Sequence, residues 1–165
     1  MKRIIVLLTI TLIGVYAIGR YNLGESGAMR FVAEMESNMG AGNGADVCDM
    51  FHDELEVEVI DHSGEEVREM SGGKEEFCAL TRETAAGLRM LPHSMNVNYT
   101  DVSATLSLTS PWTSEVSYDE HRTLTIQGAN VSLRTVSNDE ITLVQTLKGV
   151  KLRKVKSEVY KADAV

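Results

Sequence analysis

The sequence predicts an α+β domain: three helices in the N-terminal half packed on a curved, mostly antiparallel sheet. Three observations carry this reading. Apolar residues recur every three or four positions in three stretches before Pro92. From there to the C terminus apolar and polar residues alternate in strand fashion, with turn residues between the runs. The alternation changes phase between Tyr99 and Val102 and again between Leu152 and Val155, as it does where β-bulges bend a sheet. Helices first and strands afterwards describe segregated layers rather than a βα repeat, and 165 residues suffice for one core.

The elements follow in order. Ser26 is placed to cap a helix from Ala28 to Met39, whose apolar stripe is Ala28, Phe31, Val32, Met35 and Met39, with Gly40 closing it. After the linker Ala41-Gly42-Asn43-Gly44, Asn43 caps a shorter helix through Val47, Met50 and Phe51 that ends near His52. The period then changes to two: Leu55, Val57 and Val59 alternate with Glu54, Glu56 and Glu58, a half-buried strand with an acidic outer face. His62-Ser63-Gly64 turns into a second short strand, Glu65 to Met70. Ser71-Gly72-Gly73 opens a third helix carrying Phe77, Leu80, Thr84, Leu88 and Leu91, and Pro92 stops it. The remaining strands are read as Met95–Tyr99, Val102–Leu108, Glu115–Ile126, Val131–Val136, Ile141–Leu147 and Val150–Tyr160. Turns are read at Gly128-Ala129-Asn130, Asn138-Asp139 and Lys148-Gly149.

Ahead of this domain, Lys2 and Arg3 precede an apolar run of 15 residues from Ile4 to Ile18, the charged and apolar parts of a secretory signal. The run is short of the roughly 20 residues of a spanning helix, so residues 1–18 read as a signal peptide cleaved after Ala17 or as an uncleaved N-terminal membrane anchor. Residues 19–26 read as a short linker, 27–161 as the domain and 162–165 as a tail. The expected address is a bacterial envelope: periplasmic after cleavage, or anchored in the inner membrane with the domain outside the cytoplasm. Both cysteines, Cys48 and Cys78, lie beyond the signal, and an even count in an oxidising compartment reads first as one disulfide, with two buried thiols as the competing reading.

The order helix, helix, hairpin, helix, long meander, with "AMRFVAEMESNMGAGNGADVCDMFHDELEVEVID", "GGKEEFCALTRE" and the closing "LKGVKLRKVKSEV", resembles the NTF2-like (SnoaL-like, cystatin-like cone) superfamily over residues 27–161. The resemblance implies a pocket between sheet and helices. It also implies a wide range of roles, from isomerases and dehydratases to ligand binders and non-catalytic scaffolds. Neither the Tyr/Asp/Asp set of the steroid isomerases nor the His/Asp set of the dehydratases aligns with this chain residue by residue.

Strand parity nominates the polar residues that face the cone. Asp61 extends Leu55-Val57-Val59 by one step, Glu120 and Arg122 share parity with Tyr118 and Leu124, Tyr99 continues Met95 and Val97, and His93 stands just upstream at the helix–strand corner. A desolvated Asp61 or Glu120 beside Tyr99 or His93 would suit proton transfer next to a carbonyl. The competing and preferred reading puts Glu120 and Arg122 at a bulge or solvated end and makes Asp61 a turn opener. Convergence of Asp61, Glu120 and Tyr99 in an enclosed cavity would favour an enzyme; a cone plugged by Phe31, Phe51, Phe77 and Trp112 would exclude one. No metal or cofactor site is expected, because His52-Asp53 and Asp61-His62 sit at opposite ends of one strand, nearly 30 Å apart.

The net charge is −8 and aromatics are 5%, which argues against nucleic acid as a partner. The charge is also polarised. Residues 34–76 hold 14 acids and 2 bases, whereas 148–161 hold 6 bases and 1 acid. Under the family resemblance the first strand lies beside the last, bringing Glu54, Glu56 and Glu58 near Lys151 and Arg153. The function expected from the sequence is an exported or membrane-tethered binding or assembly module without identifiable catalytic residues. Its expected partners are a second copy through the sheet face, an envelope protein, a small apolar ligand, and the membrane itself if residues 4–18 remain attached. The alternative is a small-molecule isomerase or dehydratase using the cone.

Overall fold

The computed structural model describes residues 14, 16–107, 109, 110, 112–128 and 131–162. Most of the signal or anchor segment, the Ala129-Asn130 part of one turn and the last three residues of the tail lie outside them. Two helices, α1 (Glu25–Gly40) and α2 (Gly44–Asp49), lead into β1 (Phe51–Asp61) and β2 (Arg68–Gly72); α3 (Lys74–Met90) then leads to β3 (His93–Leu106), β4 (Thr113–Ile126), β5 (Val131–Thr146) and β6 (Gly149–Lys161). The six strands form one sheet in the order β2-β1-β6-β5-β4-β3. All neighbours are antiparallel except β1 and β6, which run parallel. The expected α+β class and mostly antiparallel sheet are therefore the observed ones.

Both phase changes are bulges. In β3 the register with β4 slips between Thr100 and Ser103, and Asp101 takes a left-handed φ of 52°. In β6, Leu152 faces Leu143 while Lys154 faces Thr142, so Arg153 is the extra residue. That frees Arg153 to reach Glu54 at 3.0 Å. Glu56 and Glu58 instead stand opposite Lys154 and Lys156. The acidic strand and the basic strand thus answer each other as expected, with the pairing shifted away from Lys151, whose Nζ donates to the Asp49 carbonyl.

Several element readings are corrected. Gly24, not Ser26, is the N-cap of α1. Residues 16–23 are themselves helical and Leu23 is fully buried, so the stretch read as a linker packs against the domain. Phe51 and His52 begin β1 rather than ending a helix, because Leu152 N–H donates to the Met50 carbonyl and Phe51 registers with Leu152. The second short strand starts at Arg68, and Glu65 and Glu66 belong to the preceding turn. Met95–Tyr99 and Val102–Leu106 are not two strands but parts of one bulged strand, β3, and Leu108 lies outside the described residues. Asn138-Asp139 is no turn; both lie inside the unbroken β5, paired with Asp119 and Tyr118 on one side and with Glu158 and Ser157 on the other. Turn-type residues went into strand here because a neighbour on each side satisfies their backbone.

The core fills the space between the helices and the inner face of the sheet: Phe31 and Val32 from α1, Val47 from α2, and Leu55, Val57, Val116, Ile141, Leu143 and Leu152 from four strands. Each such side chain contributes roughly 1.5–3 kcal/mol on burial. α2 and α3 approach closely at Gly44, where a Cβ would meet Arg82 Cα at 2.8 Å. α3 is capped by Glu76, whose Oε2 accepts the Gly73 N–H at 3.0 Å. Among the described residues no helix is long and apolar enough to cross a membrane.

Candidate functional site

The inner face of the sheet is organised in rows across the strands. One row runs Tyr99, Glu120, Ser137, Val159 and Asp61; the next runs Tyr118, Asp139, Ser157 and Val59. Parity therefore placed Asp61, Glu120 and Tyr99 on the same face and in the same row. It could not say how far apart along that row they stand. Asp61 is three strands from Glu120, roughly 14 Å at normal strand spacing. Its carboxylate accepts the Ser63 N–H at 2.7 Å, and bonding to Ser63 holds it below the usual carboxylate range. Asp61 thus opens the hairpin turn and is not part of the site. His93 also stands apart, half-exposed, with Nδ1 2.9 Å from the Leu91 carbonyl oxygen.

Glu120 and Arg122 do converge inside the cone. They line a cavity of about 260 Å³ with Glu36, Ser137, Asp139 and Ser157, against an apolar wall that includes Met35, Phe51, Leu55, Phe77 and Leu152. Phe51 and Phe77 narrow this space without filling it; Phe31 belongs to the core, and Trp112 lies at the surface. Arg122 Nη2 is 2.6 Å from Glu36 Oε1 and 2.8 Å from Glu120 Oε1, so one guanidinium nitrogen bridges a helix carboxylate and a strand carboxylate. The Glu120 side chain is only 7% exposed and that of Glu36 15%. Beside them Ser137 Oγ donates to Asp139 Oδ2 at 2.6 Å. The preferred reading of Glu120 and Arg122 as a solvated strand end is therefore overturned: the bulge lies on the neighbouring strand, and Glu120 itself is buried.

Burial dominates the electrostatics. Loss of water pushes the Glu120 carboxyl up to about 7; Arg122 pulls it down, while Glu36 and Asp139 push it further up. Burial raises Glu36 in the same way, against the pull of Arg122. Burial lowers Arg122, but Glu36 and Glu120 outweigh it and hold the guanidinium charge more firmly than usual. The Tyr99 and Tyr118 rings meet edge to face at 5.6 Å between centroids. Both phenols are driven well above their ordinary range, mainly by burial and further by the carboxylates around them. Among the described residues, two buried polar side-chain atoms have no partner: the Tyr99 hydroxyl and Arg122 Nε. Such orphaned groups cost about 1–3 kcal/mol each, and a bound oxygen atom would satisfy either.

Two members of the cluster escape a strand-by-strand reading. Asp139 was hidden by its turn-like neighbour Asn138. Glu36 sits on a helix one residue off the apolar stripe; the signal that finds it is its position four residues after the fully buried Val32. Among the described residues no three His, Cys, Asp or Glu side chains come together as a metal site. Cys48 and Cys78 are buried free thiols, with Cys48 Sγ 3.5 Å from the Cys78 carbonyl oxygen. Burial, reinforced by Cys78, pushes the Cys48 thiol up to about 11. The expected disulfide is not formed in this structure.

A bent six-stranded sheet closed by three helices around an ionisable pocket is the NTF2-like, cystatin-like cone. No protein-family model matches the chain, and no curated protein matches it. Solved structures do. An NTF2-like protein with a cystatin-like fold from Novosphingobium aromaticivorans has a TM-score of 0.60 at 15% identity, covering 90% of this chain and 88% of that one. A candidate scytalone dehydratase from the same organism has a TM-score of 0.59 at 10% identity, with 82% of each chain covered. A candidate dehydratase of the NTF2-like family from Streptomyces avermitilis has a TM-score of 0.54 at 17% identity, covering 85% of this chain and 96% of that one. At these identities the likeness establishes the shared fold and no specific subfamily.

Proposed function

We propose that the cone binds a small neutral molecule and moves a proton on it next to a carbonyl group, as isomerases and dehydratases do. The observation that supports this best is a buried carboxyl, Glu120, lining a partly apolar cavity, with the buried and unpartnered phenol of Tyr99 opposite it on the neighbouring strand. In this reading Glu120 accepts and returns the proton, since a carboxyl poised near neutrality exchanges it in either direction. Tyr99 donates a hydrogen bond to the carbonyl oxygen, and Arg122 positions Glu120 while restraining its rise in basicity. Three carboxylates against one guanidinium disfavour an anionic ligand. Two fold neighbours described as candidate dehydratases are in keeping with this class of chemistry. The test is proton exchange in deuterated water, followed by NMR over a panel of small enolisable ketones and β-hydroxy ketones. The protein should exchange the α-proton of at least one compound, and Glu120→Gln should exchange it 10²–10⁴-fold more slowly, roughly the span of general acid–base catalysis. Line broadening with no exchange in either protein would instead support a binding module without chemistry.

The address proposed is outside the cytoplasm of a bacterial cell, with residues 4–18 retained as an anchor; the helix of residues 16–23 runs unbroken across the bond after Ala17, where a signal peptidase would need extended chain. An oxidising compartment then pairs Cys48 with Cys78. Protein recovered from the envelope, unfolded without reductant and treated with a thiol-reactive mass tag, should gain no tag, and two tags only after reduction. Two tags before reduction would leave both residues as buried thiols.

A further inference from the structure

We propose that the end of the domain carrying Trp112 and the β5–β6 turn lies on an anionic bilayer surface, so that the protein touches the membrane at a second place besides its N-terminal segment. The turn is tightly built: Thr146 Oγ1 donates to the Gly149 carbonyl at 2.8 Å and accepts the Lys148 N–H at 3.1 Å, and Gly149 has φ of 109°. At its tip stands Leu147, wholly exposed, followed by exposed Lys148. A leucine held out on a stiff turn gains nothing from the fold, whereas it gains burial in the acyl boundary of a bilayer.

Three elements are pinned together here. The Trp112 carbonyl accepts the Gln145 N–H at 2.8 Å, and the Gln145 side-chain oxygen accepts Asn22 Nδ2 at 3.0 Å. This brings the helical residues 16–23 beside the turn. Tyr16, Ile18 and Tyr21 on that helix are each more than half exposed, and Trp112 is 40% exposed. Tryptophan and tyrosine with a neighbouring leucine and cations, Arg20 and Lys148, are the residue types that sit at headgroup level. The acids nearby are Glu25, Asp49 and Asp53. Asp53 pairs with Lys74 at 2.7 Å, and Lys151 bonds the Asp49 main-chain carbonyl and brings a further cation to this end.

What selects a bilayer as the occupant is the preceding sequence: the apolar run Ile4–Ile18 passes directly into the helix at this end. Arg122 lies nine residues further along β4 than Thr113, about 30 Å away. The ionisable end of the cone therefore points away from the proposed membrane face. The inference rests on the proposed membrane address and is independent of the proton chemistry.

Trp112 is the chain's one tryptophan and reports on its own environment. The full chain is mixed with vesicles of phosphatidylcholine and phosphatidylglycerol, with and without brominated acyl chains, and then floated on a density gradient. The expected result is flotation with a blue-shifted Trp112 emission that brominated lipid quenches for the most part. Leu147→Glu should still float but lose most of that quenching. Flotation with emission indifferent to brominated lipid would overturn the second contact and leave the anchor standing. Failure to float would overturn both.

Discussion

Replacing Arg122 with methionine is expected to cost about 2–4 kcal/mol of stability at pH 7.5. This is the lower part of the range for breaking a buried ion pair, because 39% of the Arg122 side chain still meets water. Arg122 is the cation within 2.8 Å of both Glu36 and Glu120, and its loss leaves two desolvated carboxyls and Asp139 without a counter-charge. The cost should shrink at pH 5, since burial raises both glutamates and they take up protons readily. Adding Glu36→Gln and Glu120→Gln to the variant should recover most of the loss, because neutral amides need no counter-ion. Urea unfolding at the two pH values measures this. A loss below about 1 kcal/mol at pH 7.5 would mean that the cluster is solvated and electrostatically inert.

Glu120→Gln is expected to flatten the pH dependence of stability. Burial holds the folded carboxyl near 7, against 4.5 for an exposed glutamate. Between those values the native state holds a proton that the unfolded chain releases, so stability falls as pH rises through the window. The full decline attributable to Glu120 is on the order of 3 kcal/mol, and Glu36 adds to it in the same direction. Asp61 works with the opposite sign, because its carboxyl is lowered by Ser63; its contribution is lost only as pH falls into the acid range. Unfolding midpoints between pH 5 and pH 8 should therefore decline in the parent protein and change much less in Glu120→Gln. Equal slopes in both proteins would place the proton elsewhere.

The two bulges were legible in the sequence because a phase change in alternation is a local event, recorded by the very residues that form it. The inward orientation of Glu120, Arg122 and Tyr99 was legible for the same reason, since strand parity has a period of two wherever the strand is continuous. Asp61 shows the limit of that logic. Parity placed it on the right face, but its distance from Glu120 depends on how many strands intervene, and β6 returns to insert itself between β1 and β5. Asp139 was lost to a different cause: Asn-Asp is a turn pair in isolation and a strand pair when β4 and β6 flank it. Glu36 joins the cluster only because α1 crosses the sheet where it does.

The segregation of helices and strands, the presence of one acidic and one basic strand, and the parity of the inward side chains were determined by the sequence itself. Periodicity and charge are properties of neighbours along the chain. Only the tertiary structure decided that Glu36 and Glu120 share one arginine in a cavity that Asp139 also lines, that Glu120 is buried there rather than solvated at a strand end, and that Leu23 belongs to the core. Those outcomes depend on burial and on contacts between residues far apart in sequence, such as Glu36 and Arg122 across 86 positions. The desolvation that raises a carboxyl toward neutrality exists only once the chain has closed around it.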